Sequence, residues 1–522
     1  MHDTIIVGGG LSGLMLAYTL HKEGRPFMLY EARPRLGGRI NTVKSETTGA
    51  ALDLGPTWLW PEQQPRLISL IGELGLTSFP QHDTGTVLRL KEADGKLESS
   101  ENETLYGGAQ RLEGGMIALI DALAALIPPD NIKLGQVLTD VEERGEHLAL
   151  RFRCGDETST IEARRVALTI PPRLVAEQVS FKPALPDEVK QAMQNTQTWM
   201  AAEAKALIAY PKAFWRDAGL SGNGSSEHEQ AVLGEVFDAC NADAAKAALG
   251  GFIALSPEQR QNFQFGLPML IRSQLIQFFG TDAEHGELQF QDWAQEPYTC
   301  SQLDLTQAFT QPTYGNPLLQ QPYWYHKLYL GGTETSRFGG GYLEGALDAA
   351  ARIHAQFTVA PCLHTPENRR CVIRFSDWVN TYRADAMSFY QRYLNQRLAE
   401  QQREQLTQLS LLATVDEIYK KAMLVVEELP FVTEMESVVN GRSDLTPHLL
   451  SPFMGFNETL LAAAVEFNRS SCAISNFELE HKPSDAYIDT IRRDLTATWR
   501  EFALNVNTLL VKRSTSQVAT TA

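Results

Sequence analysis

The sequence is poor in cysteine and contains no long apolar run. Its six cysteines include no pair separated by two residues and follow no regular spacing, which argues against a metal site or a disulfide framework. No apolar stretch reaches the length of about eighteen residues that a membrane-spanning helix needs. The first apolar run begins at Thr4, which leaves no room for a signal peptide. These absences predict a soluble, cytoplasmic protein with reduced thiols and no membrane anchor.

Positively charged residues are fewer than negatively charged ones. The chain has 46 Lys and Arg against 63 Asp and Glu, a formal net charge of −17, which argues against a nucleic acid or an anionic membrane as partner. This charge favours a cationic substrate only weakly, because it also serves solubility. The eleven histidines are scattered and suggest no ligand set, so no metal is expected. A length of 522 residues allows two or three domains with buried cores.

The first forty residues carry the clearest motif. An apolar run at 4–7 leads into a glycine-rich turn and a helical stretch, and a second apolar run at 26–30 ends on Glu31. The turn has the G-x-G-x-x-G spacing, formed here by Gly8, Gly10, Leu11, Ser12 and Gly13. Glycines at these positions let backbone N–H groups approach a pyrophosphate, and an acid at the position of Glu31 can accept from ribose hydroxyls. The flanking strand, helix and acid favour a dinucleotide site over an unrelated glycine turn.

The residues after the second strand identify the dinucleotide. The stretch Glu31, Ala32, Arg33, Pro34, Arg35, Leu36, Gly37, Gly38, Arg39 resembles the second half of the FAD fingerprint of the flavin amine oxidase superfamily. That superfamily includes monoamine, polyamine and L-amino-acid oxidases, and the resemblance covers about residues 1–357. In the family, the second glycine pair and its arginine lie along the diphosphate and the flavin. The resemblance therefore implies FAD as cofactor.

The resemblance also implies an α/β fold class. We expect a Rossmann-like FAD-binding domain (1–80, 130–180 and 285–360) and an α+β substrate-binding domain (81–129 and 181–284). Residues 365–510 match no family and read as a mainly helical C-terminal region, followed by a flexible tail at 511–522. This region either is a helical appendage, which packs on the oxidase or mediates a homodimer, or caps the substrate entrance.

Further cofactor contacts follow from the family pattern alone. The segment after a short strand passes beside the flavin, a valine clasps the adenine through its backbone, and a closing strand, turn and helix border the phosphates and the pyrimidine ring. The matching residues are Gly55, Pro56, Thr57, Trp58, Val137, Gly332, Glu334, Tyr342, Leu343 and Ala346. A buried strand valine would account for Val137 equally well.

Three residues match the family's catalytic positions. Lys205 lies ten residues before Trp215, the family's own interval, and the family lysine holds a water against flavin N5 during oxidation by O2. A lysine in an apolar strand is costly to bury unless it is paired; the alternative is a lysine on a solvent-exposed strand face. Trp293 resembles the tryptophan that packs against the isoalloxazine, and Tyr342 resembles one wall of an aromatic cage that aligns the amine.

The sequence departs from the monoamine oxidases at two positions. The cysteine that binds FAD covalently would stand at position 302, which is Gln302, and Cys300 is out of register. We therefore expect non-covalent FAD. The second wall of the cage would fall near Leu303, which is not aromatic. Other aromatic residues are candidates for that wall: Trp58, Trp60, Tyr298 and Trp324.

These features predict FAD-dependent oxidation of an amine C–N bond to an imine, with O2 reoxidising the flavin to give H2O2. The partners are then a small-molecule amine and O2. One alternative is an L-amino-acid oxidase, which needs a cation such as Arg173, Arg272 or Arg337 for the substrate carboxylate, or a flavin dehydrogenase or desaturase acting on a biosynthetic cyclic amine. Another is a non-catalytic FAD-binding protein whose C-terminal helices bind a partner.

Overall fold

The chain forms two compact units, Met1–His354 and Ala355–Ala522, in a computed structural model. The structure describes residues 1–93, 95–101, 103–145, 147–307, 314–324, 326–358, 366–402, 404–432, 438–439, 441–471 and 474–518. Within these ranges, no helix is both long enough and apolar enough to cross a membrane. Cys362 and Cys472 lie outside the described residues.

The first unit combines parallel and antiparallel strands with helices. Its strands are β1 (His2–Val7), β2 (Phe27–Tyr30), β3 (Thr42–Lys44), β4 (Ala51–Asp53), β5 (Ser78–Pro80), β6 (Thr86–Leu90), β7 (Glu98–Ser100), β8 (Gln110–Leu112), β9 (Ile132–Lys133), β10 (Val137–Arg144), β11 (His147–Cys154), β12 (Glu157–Leu168), β13 (Ser180–Lys182), β14 (Ala204–Tyr210), β15 (Leu220–Ser226), β16 (Leu233–Asp238), β17 (Ala247–Ile253), β18 (Glu287–Asp292) and β19 (Leu328–Leu330). Its helices are α1 (Leu11–Lys22), α2 (Pro65–Glu73), α3 (Ile117–Ala125), α4 (Pro172–Gln178), α5 (Asp187–Asn195), α6 (Phe214–Asp217), α7 (Pro257–Asn262), α8 (Leu267–Phe279), α9 (Gln302–Thr306) and α10 (Leu343–Thr358), which begins in this unit.

An eight-stranded sheet organises the nucleotide-binding part of this unit. Its order is β13-β10-β11-β12-β1-β2-β9, and β19 also pairs with β12. Strand β12 serves two partners: its first half pairs antiparallel with β11, and its second half pairs parallel with β1 and β19. Ile5 and Ile6 of β1 are both fully buried, as expected of a parallel strand covered on both faces.

The carboxyl ends of β1, β2, β12 and β19 meet at one edge of this sheet. The backbone N–H of Gly8 donates to Tyr30, that of Thr169 donates to Val7, and that of Gly331 donates to Leu168, each at 2.8 Å. Ligands of parallel α/β sheets bind at this edge, where the loops after neighbouring strands converge. The glycine turn, Glu31 and Gly332 are thereby brought together from distant parts of the chain.

A seven-stranded sheet, β18-β14-β17-β16-β15-β6-β7, forms the second part of this unit. Every residue of β14 is buried, and Ile208 packs in a core with Ile271 and Leu275 of α8. This matches the expected α+β substrate-binding part. One boundary differs from expectation: α3, assigned to the substrate part within 81–129, contacts α1. The cause is its apolar face, since Ile120 is buried and approaches Gly37 of the nucleotide-binding part.

The second unit is mainly helical, as predicted. It contains α11 (Pro366–Ala399), α12 (Leu406–Glu428), α13 (Thr446–Leu450), α14 (Phe456–Ser470), α15 (Glu478–His481) and α16 (Asp485–Val518), with a short hairpin of β20 (Val438–Val439) and β21 (Arg442–Ser443). Tyr419, Phe453 and Phe502 pack in its core, with the Tyr419 and Phe502 rings stacked at 4.6 Å.

The expected flexible tail at 511–522 needs correction, because α16 continues to Val518. Ser514 is buried, and the Arg513 guanidinium donates to the carbonyl of Leu429 at 2.9 Å. These contacts hold the end of the helix on its own bundle. Residues 519–522 lie outside the described residues.

A buried polar network gives the helical unit a testable stability feature. The Tyr390 hydroxyl donates to Asn468 Oδ1, and Asn468 Nδ2 donates to Thr407 Oγ1, both at 2.8 Å. We expect Asn468→Ala to lower the free energy of opening of α12 and α14 by about 1–3 kcal/mol, because each hydroxyl loses a buried partner. Hydrogen exchange of the full chain measures this locally. Asn395→Ala, at an exposed position of α11, is the control; an equal effect of both substitutions would contradict the prediction.

Candidate functional site

A cavity of about 380 Å³ lies at the carboxyl edge of the first sheet. It collects nearly all the predicted site residues. Those lining it are Gly8, Gly10, Leu11, Ser12, Glu31, Ala32, Arg33, Gly37, Gly38, Arg39, Gly55, Pro56, Thr57, Trp58, Val137, Lys205, Trp293, Gly332, Tyr342, Leu343 and Ala346. Gly13 and Glu334 are not among the residues that line it. Residues from both sheets share the cavity, so a group bound along the first sheet would face the second.

The glycine turn is shaped for close approach of backbone. Gly8 has a φ of +110°, a conformation that side chains disfavour. A Cβ on Gly13 would lie 1.9 Å from the carbonyl oxygen of Gly8, so α1 can start directly behind the turn only with glycine there. The first N–H groups of α1 therefore face the cavity from the positive end of the helix, which suits a phosphate.

Glu31 is fixed at the end of β2. It is buried, and its two carboxylate oxygens accept from the backbone N–H groups of Gly9 at 2.6 Å and Arg33 at 2.8 Å. Each oxygen keeps a lone pair for a ribose hydroxyl, since a carboxylate accepts about four hydrogen bonds. The Arg33 side chain is held in turn by Glu296 at 3.0 Å and by the ring of Tyr298. The turn, the acid and the backbone of Val137 thus fit the ribose and diphosphate of a dinucleotide.

An ion pair between the half-buried Arg39 and the buried Glu334 joins three segments around the cavity. Arg39 Nη1 and Nη2 donate to the two oxygens of Glu334 at 2.6 and 3.1 Å, and Nη1 also donates to the carbonyl of Trp199 at 3.1 Å. The Trp199 N–H returns to Glu334 at 3.3 Å. Burial opposes the charge on Arg39, but the Glu334 carboxylate raises its pKa above the ordinary value. Glu334 binds Arg39, which lines the cavity, and its expected position beside the phosphates stays a prediction.

Trp199 is the aromatic residue that the sequence pattern did not reveal. Its ring contacts that of Tyr342 with centroids 5.2 Å apart and planes at 42°, and both line the cavity. Leu303, at the family's second wall, lies in α9 and does not line it. No motif marks Trp199, because it lies in the loop before β14 rather than near the family position.

The aromatic candidates for the second wall are placed differently. Trp58 and Trp60 line the cavity, and Tyr298 lines it beside Arg33. Trp324 packs against Phe181 at 5.8 Å and lies away from the cavity.

Lys205 is buried in β14, only 2% exposed, so the solvent-face alternative is wrong. Its ammonium donates to the carbonyl of Gly55 at 2.9 Å and to the hydroxyl of Thr57. Rings of three aromatic residues surround it at 5.2–5.7 Å: Trp58, Phe237 and Phe252. Burial lowers the pKa of Lys205 to about 7, against the opposing attraction of Asp53. Its charge can therefore change near neutral pH.

Trp293 extends the aromatic lining beside this lysine. It is buried and its indole N–H donates to the carbonyl of Leu54 at 3.0 Å, which fixes the ring as part of the wall. No cysteine lines the cavity in the part of the chain that the structure describes. Cys300 is buried nearby in sequence, and burial raises the pKa of its thiol to about 12. Among the described residues, no group of three His, Cys, Asp or Glu could hold a metal ion.

Comparison with known proteins now gives the family. A profile described as flavin-containing amine oxidoreductase matches residues 11–105 and 96–354, about two thirds of the chain. The protein belongs to this family. FAD is therefore its cofactor, and the glycine turn, Glu31 and Arg39 are the residues that fit it.

Individual relatives are distant. Putrescine oxidase of Kocuria rosea is 24% identical over 407 residues, which cover 57% of this chain and 83% of that protein. A probable flavin-containing monoamine oxidase A of Dictyostelium discoideum is 24% identical over 464 residues, 68% of this chain and 96% of that protein. A solved structure of putrescine oxidase bound to putrescine has a TM-score of 0.56 at 21% identity and covers 68% of this chain and 99% of that one. The likeness in structure confirms the predicted fold class.

The packing of the glycine turn yields a prediction for cofactor binding. Gly13→Ala should lower the flavin bound per purified chain several-fold, because its Cβ would displace the carbonyl of Gly8 and tilt the N-terminus of α1. Flavin absorbance relative to protein measures this. Gly72→Ala is the control, since its Cβ would meet no atom within 4 Å; full flavin content in Gly13→Ala would refute the role of the close approach.

Proposed function

We propose that this protein oxidises the C–N bond of a small-molecule amine to an imine and passes the electrons to O2, giving H2O2. The observation that carries the proposal is Lys205, a buried ammonium of lowered pKa whose cavity also contains the FAD cradle and an aromatic lining. A charged group is buried at such a cost mainly where it is used. The relatives named putrescine oxidase and monoamine oxidase support the same class of reaction.

Bound FAD would supply the redox chemistry, as acceptor of a hydride equivalent from the amine α-carbon and donor of electrons to O2. The side chains of this chain supply position and charge. Tyr342 and Trp199 form an apolar wall that aligns the substrate, and Trp293 packs beside the cofactor. The N-terminus of α10, at Leu343 and Ala346, places its positive end where negative charge develops. Lys205 would hold a water and supply a positive charge for the reaction of the reduced cofactor with O2. FAD is held without a covalent bond, since Gln302 replaces the linking cysteine.

The cavity offers poor recognition for an amino acid. Arg173 is buried in a pair with Asp304 at 2.7 Å, Arg272 donates to the carbonyl of Glu284, and Arg337 donates to Gln320. None of the three lines the cavity. Its lining arginines, Arg33 and Arg39, are each bound to a glutamate. Within the described residues, these contacts favour an amine over an L-amino-acid substrate.

The direct test is anaerobic reduction of the bound flavin, scanned over primary, secondary and cyclic amines, polyamines and L-amino acids. We expect bleaching by at least one amine, and stoichiometric H2O2 once air is admitted. Bleaching by amino acids alone would indicate an amino-acid oxidase. Bleaching of the flavin by an amine without formation of H2O2 in air would indicate a dehydrogenase. No bleaching by any compound of the panel would support a non-catalytic FAD-binding protein.

Lys205 gives a second prediction, on the reaction with O2. Lys205→Met should slow flavin reoxidation by roughly 100–1,000-fold, the range for losing one preorganised donor, with a much smaller effect on anaerobic reduction. Because the pKa is lowered to about 7, the ammonium is charged below that pH and neutral above it. The wild-type reoxidation rate should therefore fall as pH rises through about 7, and the variant should show no such step.

Stopped-flow mixing of the reduced enzyme with O2 measures both effects. Lys212→Met removes a lysine that is exposed at the surface and serves as the matched control. The other charged groups acting on Lys205 are Asp53, Arg111 and Glu235. A pH step that survives in Lys205→Met would show that the titrating group is not Lys205. Unchanged reoxidation in the variant would remove Lys205 from the O2 reaction.

A further inference from the structure

A second charged side chain lines the cavity two residues before Lys205. Glu203 immediately precedes β14, and its backbone carbonyl accepts from the N–H of Trp293 at 2.9 Å, which extends the pairing of β14 with β18. Side chains two residues apart on a strand point to the same face. Both Glu203 and Lys205 accordingly line the cavity.

The Glu203 carboxylate is unusual because it accepts no hydrogen bond from any described residue. The cation that acts on Glu203 electrostatically is Arg260. Its guanidinium, however, already donates to both carboxylate oxygens of Asp292, at 2.9 and 2.7 Å, and to the carbonyls of Leu255 and Ala202. Burial raises the pKa of Glu203 above its ordinary range, opposed only by Arg260. A carboxylate kept half-buried without a partner costs stability.

We infer that Glu203 binds a second, positively charged nitrogen of the substrate, so that the substrate class is a diamine or larger polyamine. This inference rests on the proposed amine oxidation. The nitrogen that is oxidised must be neutral, because protonation removes the lone pair that assists loss of hydride. A carboxylate would hold the reacting nitrogen in its protonated form and hinder the reaction. Glu203 therefore suits the nitrogen that does not react.

The geometry of the lining agrees with this division. Aromatic side chains, Tyr342 and Trp199, give the reacting part an apolar wall, while Glu203 supplies negative charge on the face that β14 turns to the cavity. The charge of Lys205 is engaged by Gly55 and Thr57, so it does not neutralise Glu203 by direct contact. A monoamine of equal length would leave the carboxylate unpartnered and bind more weakly.

The test compares putrescine and cadaverine with butylamine and pentylamine, which match them in carbon number and lack the second nitrogen. In wild-type holoenzyme, the diamines should bind more tightly. Glu203→Gln should raise the dissociation constant of the diamines by roughly 10–100-fold, as for the loss of a charge-assisted hydrogen bond, with little change in the limiting rate of flavin reduction. The monoamines should be unaffected. Glu62→Gln removes an equal charge from an exposed position, two residues after Trp60 in the sequence. It should leave the dissociation constants of all four amines unchanged.

Calorimetric titration of the oxidised holoenzyme under anaerobic conditions separates this inference from the proposed reaction. Diamine binding that is lost in Glu203→Gln supports the inference even if no flavin is reduced, in which case only the proposed reaction fails. If Glu203→Gln weakened the binding of diamines and monoamines equally, or altered the flavin spectrum in the absence of amine, Glu203 would act on the fold or the cofactor. Either result would overturn the inference. Absence of diamine binding in wild type would overturn it as well.

Discussion

The ion pair between Arg39 and Glu334 is the interaction on which the rest of the site depends. It ties together the loop after the FAD fingerprint, the turn after β19 and the loop before β14, which lie up to 295 residues apart. Because Glu334 is fully buried, its charge requires the Arg39 guanidinium as partner. The backbone of Trp199 is bonded to both partners, so the pair also fixes the aromatic wall. One interaction therefore couples the cofactor edge to the substrate side.

Burial sets the chemistry of the two charged groups on the substrate side. Both side chains line the cavity from one segment, Lys205 within β14 and Glu203 just before it. Lys205 is buried and Glu203 is half-buried, and the results differ. Lys205 keeps two oxygen partners and a ring of aromatic faces, and its pKa falls to about 7. Glu203 keeps none among the described residues, and its pKa rises. Desolvation favours the neutral form of each group, so it lowers the pKa of the lysine and raises that of the glutamate in the same cavity.

The sequence predicted well wherever a function depends on local spacing. The glycine turn, Glu31 and the 37–39 segment are contiguous with the strands that carry them, and the structure places them on one cavity. The burial of Lys205 also followed from its apolar strand. Prediction failed where a position depends on contacts between distant segments. Trp199 has no motif, α3 contacts α1 of the nucleotide-binding part, and Glu334 pairs with Arg39 across 295 residues of chain.

The sequence by itself determined the cofactor, the family and the strand that carries Lys205, because these depend on spacing within short segments and on the period of apolar residues. It did not determine which aromatic residue faces Tyr342, which arginines are free to bind a substrate, or that Glu203 lacks a partner. Those properties arise only when segments from two sheets pack against each other, since a side chain's partners and its exposure to water are set by neighbours far away in the chain. The tertiary structure decided the character of the substrate side for that reason.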